Sequence, residues 1–131
     1  MFDRLSTYAP QALALLRIVS ALLFIHGGVQ LLFGWPASTY PAPPPEMNTL
    51  LIVAGTMELV GGILLLLGLF TRPVAFILSG MMAVAYWGFH FPMNPWPNNN
   101  MGSAAILYCF IYLYLFFAGP GTWAVDNGRG E

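Results

Sequence analysis

Leu50-Leu51-Ile52-Val53-Ala54-Gly55-Thr56-Met57-Glu58-Leu59-Val60-Gly61-Gly62-Ile63-Leu64-Leu65-Leu66-Leu67 carries one charge, Glu58, in an otherwise almost wholly apolar run. A helix needs about 20 such residues to cross a hydrocarbon layer roughly 30 Å thick, so the run reads as a membrane span. Extended to its flanking signals it covers residues 48–70, with Asn48 or Thr49 available as N-cap. Three further runs of the same kind lie at residues 10–34, 73–91 and 102–118. The reading is an all-α chain, an integral membrane four-helix bundle that occupies residues 1–131 as a single domain.

Composition agrees. Of the residues, 58% are hydrophobic and 7% charged, against roughly 45–50% and 25% in an ordinary soluble domain. The net charge is −1, there is no lysine, and no basic patch exists to bind nucleic acid. Cys109 stands alone, which leaves no internal disulfide, no CxxC pair and no thiolate metal cluster. Residues 1–6, with Arg4, resemble the charged start of a signal peptide. The apolar run continues to Phe33, well past the roughly 7–15 residues of a cleavable signal, so a retained helix is expected.

The connections are punctuated by breakers. Gly34-Trp35-Pro36 ends the first run, and Tyr40-Pro41-Ala42-Pro43-Pro44-Pro45 favours extended polyproline backbone. Thr71-Arg72-Pro73 is read as a short turn, with Pro73 opening the third run. Pro92, Pro95 and Pro97 mark the second long connection, followed by asparagines suited to capping the fourth run, which Gly119-Pro120-Gly121 closes. Arg4, Arg72 and Arg129 fall at the N-terminus, the short turn and the C-terminus, and Arg17 in the same half of the first run. The two long connections carry no arginine. By the positive-inside rule both termini are cytoplasmic, with Trp35, Trp87, Trp96 and Trp123 as interfacial anchors.

Depth along antiparallel spans follows from a rise of about 1.5 Å per residue. Counted from the outer ends, Gln30 lies about 6 Å deep, His26 about 12 Å, Glu58 about 13 Å and Tyr108 about 9 Å, with His90 near the boundary. His26 and Gln30 share a face at i,i+4. Gly55, Gly61 and Gly62 flank Glu58 and admit a close neighbour, which puts the carboxyl inside the bundle. A carboxylate at mid-membrane costs roughly 2.5–3.5 kcal/mol on insertion scales, so Glu58 is expected to be protonated or paired, with His26 as partner. The expected site is a polar pocket in the outer half of the bundle: His26, Gln30, Glu58, His90 and Tyr108, with Trp87 and Tyr86 as an aromatic wall. The plainer reading makes Gln30 and His90 boundary residues, Tyr108 a packing residue and Cys109 a small apolar filler. Arg17 is read as snorkelling toward the cytoplasmic interface.

These residues resemble a known family. His26-Gly27, Gln30 and Phe33-Gly34 are similar to the end of the first span in DoxX-type membrane proteins. Glu58-Leu59-Val60-Gly61-Gly62 and Gly68-Leu69-Phe70-Thr71-Arg72 resemble that family's second span and turn, and His90 and Gly119-Pro120-Gly121 before Asp126 its later landmarks. The chain departs from the pattern at Leu31, where a basic residue is common, and at Ser103, where an acidic one is. The resemblance implies a multi-pass protein of the bacterial inner membrane associated with redox systems, including quinone-linked ones. It does not imply that the subunit itself catalyses a reaction.

Two functions follow as expectations. One is a redox-associated subunit that binds a quinone or quinol through His26, Gln30, Glu58 and His90. The alternative is a non-catalytic accessory or assembly subunit that packs against a larger membrane complex or a second copy, or holds a lipid. A third, metal or haem ligation by His26, His90 and Glu58, is disfavoured because the two histidines differ in depth by about 9 Å; no metal site and no certain cofactor are expected.

Overall fold

The computed structural model describes residues 2–128; Met1 and Arg129, on which parts of the charge reading rest, lie outside them. Among the described residues the structure is all-helical, with no strand. Three helical stretches, Phe2–Phe33, Pro45–Leu67 and Thr71–His90, are long and apolar enough to cross a membrane, and Ser103–Ala118 is a shorter apolar helix.

Helix α1 (Ala9–Phe33) begins with Pro10 in its first turn, where a missing N–H costs nothing. Its buried residues, among them Ala14, Arg17, Ala21, Phe24 and Gly28, recur every three or four positions and form one face. Gly34 ends it in the left-handed conformation (φ 68°), donating its N–H to Gln30 O at 2.9 Å.

Helix α2 (Asn48–Leu67) packs against α1 along that face. The expected cap at Asn48 or Thr49 does not form: Met47 is the N-cap residue and makes no side-chain cap bond. Small residues bring the two backbones together. A methyl on Gly28 would lie 2.6 Å from Leu59 N and 2.8 Å from Gly55 O, and one on Gly62 would lie 3.0 Å from Ile25 N. This is the close approach that stripes of small residues permit in membranes.

The turn to the next helix falls earlier than the sequence reading puts it. Gly68 takes φ 67°, and Gly68 N and Leu69 N bond back to Leu65 O and Leu64 O, closing α2 at Leu67. Thr71, Arg72 and Pro73 are then not a turn but the first turn of α3 (Thr71–Ala85). Helix α3 runs on into a π-helical turn, Tyr86–His90, secured by Phe91 N bonding Tyr86 O at 2.9 Å. A short helix α4 (Pro97–Asn100) follows, then α5 (Ser103–Ala118), which packs against α3. The asparagine cap expected for this helix does not form: Gly102 is the N-cap residue and no side chain caps α5, while Asn100 Oδ1 accepts from Gly102 N at 2.8 Å. Ala21, Phe24, Leu65, Leu78, Tyr112 and Leu115 form the centre of the core.

Beyond α5 the chain folds back across the end of the molecule that carries the α2–α3 turn, ending in a single turn, α6 (Val125–Gly128). Asp126 accepts from Phe70 N (2.8 Å) and Thr71 N (2.9 Å), capping α3, while its own N–H bonds Gly68 O at 2.9 Å. Arg17, expected to snorkel to water, is instead completely buried, donating to the carbonyls of Pro120, Thr122 and Trp123. Its reach toward that end of the bundle is as expected; what meets it is folded backbone. Arg72 donates likewise to Phe116 O and Phe117 O.

Candidate functional site

Glu58 sits on α2 between the glycines that face α1. Its Oε2 occupies the notch that Gly27 leaves open: a methyl on Gly27 would lie 2.5 Å from that oxygen. The carboxyl is half-buried, and on the α5 side it lies within electrostatic reach of the Tyr108 and Tyr112 phenols. Toward α3 it lines a cavity of about 300 Å³, with apolar walls from Leu31, Leu51, Ala54, Met81 and Phe89, and with His90 on the same lining. Leu50 and Val84 border it too and are exposed on the outside of the protein, so the cavity reaches the membrane-facing surface.

His90 owes its setting to the π-turn and to the loop after it. Its Nδ1 lies 2.8 Å from Asn100 O. A carbonyl only accepts, so Nδ1 carries the hydrogen. Asn100 is fully buried and fixed at both ends of its amide, with Nδ2 donating to Asn94 O and Oδ1 accepting from Gly102 N, each at 2.8 Å. The ring stacks over Tyr86 at 6.4 Å between centroids. π-turns recur at functional sites because they re-aim side chains within a helix.

The other expected members are elsewhere. His26 is on the exposed side of α1, and no hydrogen bond or ion pair joins it to Glu58. It is level with Glu58, next to Gly27, but points away from it, since α1 turns Gly27 and Gly28 toward α2. Gln30 spends its amide on the connection, donating from Nε2 to Pro36 O at 2.9 Å. Trp87, 64% exposed, rests on Tyr86 and Phe91 and borders a different groove, between α3 and α5. Tyr108 packs edge-on against Phe24 at 4.9 Å and stacks on Tyr112. Cys109 is half-buried, and its carbonyl accepts from Ser79 Oγ at 2.7 Å. Among the described residues no three His, Cys, Asp or Glu side chains gather to hold a metal ion.

Two features of the site escape sequence reading. Gly27 as the seat of Glu58 is one, and Asn100 as the support of His90 is the other. Proximity of Gly27 to Glu58 follows from which face α1 buries, and that face is legible in the spacing of Ala14, Arg17, Ala21, Phe24 and Gly28. Nothing in the sequence signals the Asn100 carbonyl, because a backbone acceptor has no residue signature.

Comparison with known proteins follows the same lines. A family model described as DoxX matches residues 12–91, which include α1 from Ala12 onward, α2, α3 and the π-turn. A protein of Haemophilus influenzae described as uncharacterized is 43% identical over 128 residues, covering 95% of this chain and 96% of that one. The inner membrane protein YphA of Escherichia coli is 28% identical over 135 residues, covering 90% of each. No solved structure matches.

Proposed function

The chain belongs to the DoxX family, and from that premise we propose that it binds the polar head of a membrane-soluble ligand of the quinone/quinol class, in the α2–α3 cavity, as part of a redox system. It is a multi-pass protein of the bacterial inner membrane. The proposal includes four crossings with both termini cytoplasmic, so that the Glu58 cavity belongs to the outer half. One observation carries it: Glu58 and His90, distant in sequence, line the same cavity, whose other lining residues are apolar. A cavity of about 300 Å³ is at the small end of ligand pockets, roughly 300–1,000 Å³. It suits a single head group whose tail stays in the bilayer. Ligand sites of this kind combine apolar walls with a few convergent polar groups, and an intramembrane acid is a functional candidate by default.

The test is equilibrium binding of a short-tailed quinol to the protein purified in mild detergent. Glu58→Gln keeps the shape of the side chain and removes its exchangeable carboxyl proton, and is expected to weaken binding about tenfold or more. Unchanged binding by Glu58→Gln, or none by the wild type, sinks the reading.

A second reading, an accessory subunit of a larger membrane complex or a homo-oligomer, is favoured by α5. Its 16 residues span only about 24 Å, short of a hydrocarbon core of roughly 30 Å, and short spans are relieved by association with neighbours. Co-purification of a stoichiometric partner or a second copy supports this reading; a monodisperse single copy that binds quinol fully contradicts it.

A further inference from the structure

Of the adjacent glycines Gly61 and Gly62 on α2, only the second is spent on the α1 seam. Gly62 meets Ile25 of α1, while Gly61 turns to α3, where a methyl on it would lie 2.8 Å from Leu78 Cδ1. Beside Gly61 runs a groove of about 280 Å³ between the two helices, with Met57 and Leu64 on its α2 side and Val74, Ile77 and Leu78 on its α3 side. It opens to the membrane: Val60 and Ile77 on its rim are 51% and 56% exposed. Among the described residues no charged one lines it, and its one side-chain hydroxyl, Thr56 Oγ1, donates to Ile52 O at 2.7 Å.

The groove continues the Glu58 cavity. The cavity lining ends at Glu58 on α2 and Met81 on α3, and the groove lining begins one helical turn or less away, at Met57 and Leu78. From Thr56 to Leu64 the groove follows α2 for about 12 Å. A helix of that length, about 10 Å across, fills about 900 Å³, roughly three times the space present. The groove therefore suits a single flexible chain rather than an entering helix.

We infer that this groove holds the apolar tail of the ligand whose head lies in the cavity, so that the ligand is long-tailed: a quinol or quinone carrying a prenyl or alkyl chain, not a bare ring. The inference rests on the cavity being the head-group site, as proposed above. Gly61 sets the depth of the trough and Val60 its width, which makes them the positions that determine tail specificity. A tail that moves from lipid into the groove gains nothing from excluding water, because lipid is as apolar as leucine. What it gains is close contact with preformed walls. That gain depends on fit and is lost when the trough is filled.

The experiment titrates two quinols with the same head, one bearing a methyl and one a decyl tail, into the detergent-purified protein. Concentrations are expressed per detergent molecule in the micelle, so that partitioning cancels. The wild type is expected to bind the decyl form about tenfold tighter. Val60→Trp fills the trough from its exposed rim and Gly61→Leu from its floor. Either should bring the decyl form down to the affinity of the methyl form, and unchanged binding of the methyl form shows that the variant is folded. A decyl form that binds no tighter than the methyl form to the wild type, as when an ordinary lipid chain or a second copy fills the groove, overturns the inference. So does a decyl advantage that persists in both variants; in each case the head-group site stands. No binding of either form overturns both.

Discussion

Replacing Gly27 with alanine puts a methyl group where Oε2 of Glu58 now lies, 2.5 Å from it. The obstacle is the free end of a flexible side chain, so the carboxyl swings aside and the helices stay in contact. Gly27→Ala is therefore expected to keep the thermal stability of the parent and to lose most quinol binding. Equal binding by this variant would mean that the seat of Glu58 is immaterial. Arg17 poses the opposite case. Arg17→Leu leaves the carbonyls of Pro120, Thr122 and Trp123 without their donor, at a cost of about 1–3 kcal/mol for each one left buried and unpaired. Limited proteolysis should then nick the chain between Gly119 and Gly128 at protease levels that spare the parent; resistance equal to the parent's contradicts this role. At this scale Glu58 turns inward and His26 outward, and sequence reading separates the two poorly for one reason. Depth along a helix follows from counting residues, but direction around it requires the buried face. Arg17, in step with Ala14, Ala21 and Phe24, declares its inward direction in that spacing, and its partners have no sequence signature because they are backbone carbonyls beyond the last span.

The α1–α2 seam and the α3 cap decide the elements. Gly28→Ala meets backbone at 2.6 and 2.8 Å, which no rotamer change relieves, so the helices must part; overpacking of this kind costs typically about 1–3 kcal/mol. The variant is expected to melt well below Gly27→Ala in the same detergent, and equal melting temperatures would refute the seam. Asp126→Ala removes both acceptors at the start of α3, with an expected loss of about 0.5–2 kcal/mol. Hydrogen exchange should speed up at the Phe70 and Thr71 amides and remain unchanged in α1; protected amides at those two positions contradict the cap. The long helices are legible because apolar length is what a bilayer demands. The α2–α3 turn is misread by three residues because Arg72-Pro73 looks like a break, although proline is at home in a first helical turn. Gly68, left-handed at φ 67°, is the true signal. The π-turn at Tyr86–His90 has no such marker.

For the molecule as a whole, the proposed orientation puts the termini in the cytoplasm and the two long connections outside, on the positive-inside rule. With Cys109 replaced by alanine, cysteines placed at the exposed positions Ser38 and Asn98 should react with an impermeant maleimide on intact spheroplasts, and one at Ser6 only after lysis. The reverse pattern would turn the cavity toward the cytoplasm. The account as a whole stands on the space between α2 and α3 being the place where a ligand enters. The most direct measurement is photo-crosslinking with a short-tailed azidoquinol, read by peptide mass spectrometry. Adducts confined to residues 47–58 and 81–90, and displaced by unmodified quinol, are the predicted result. Adducts spread over α5 or indifferent to competitor would contradict it.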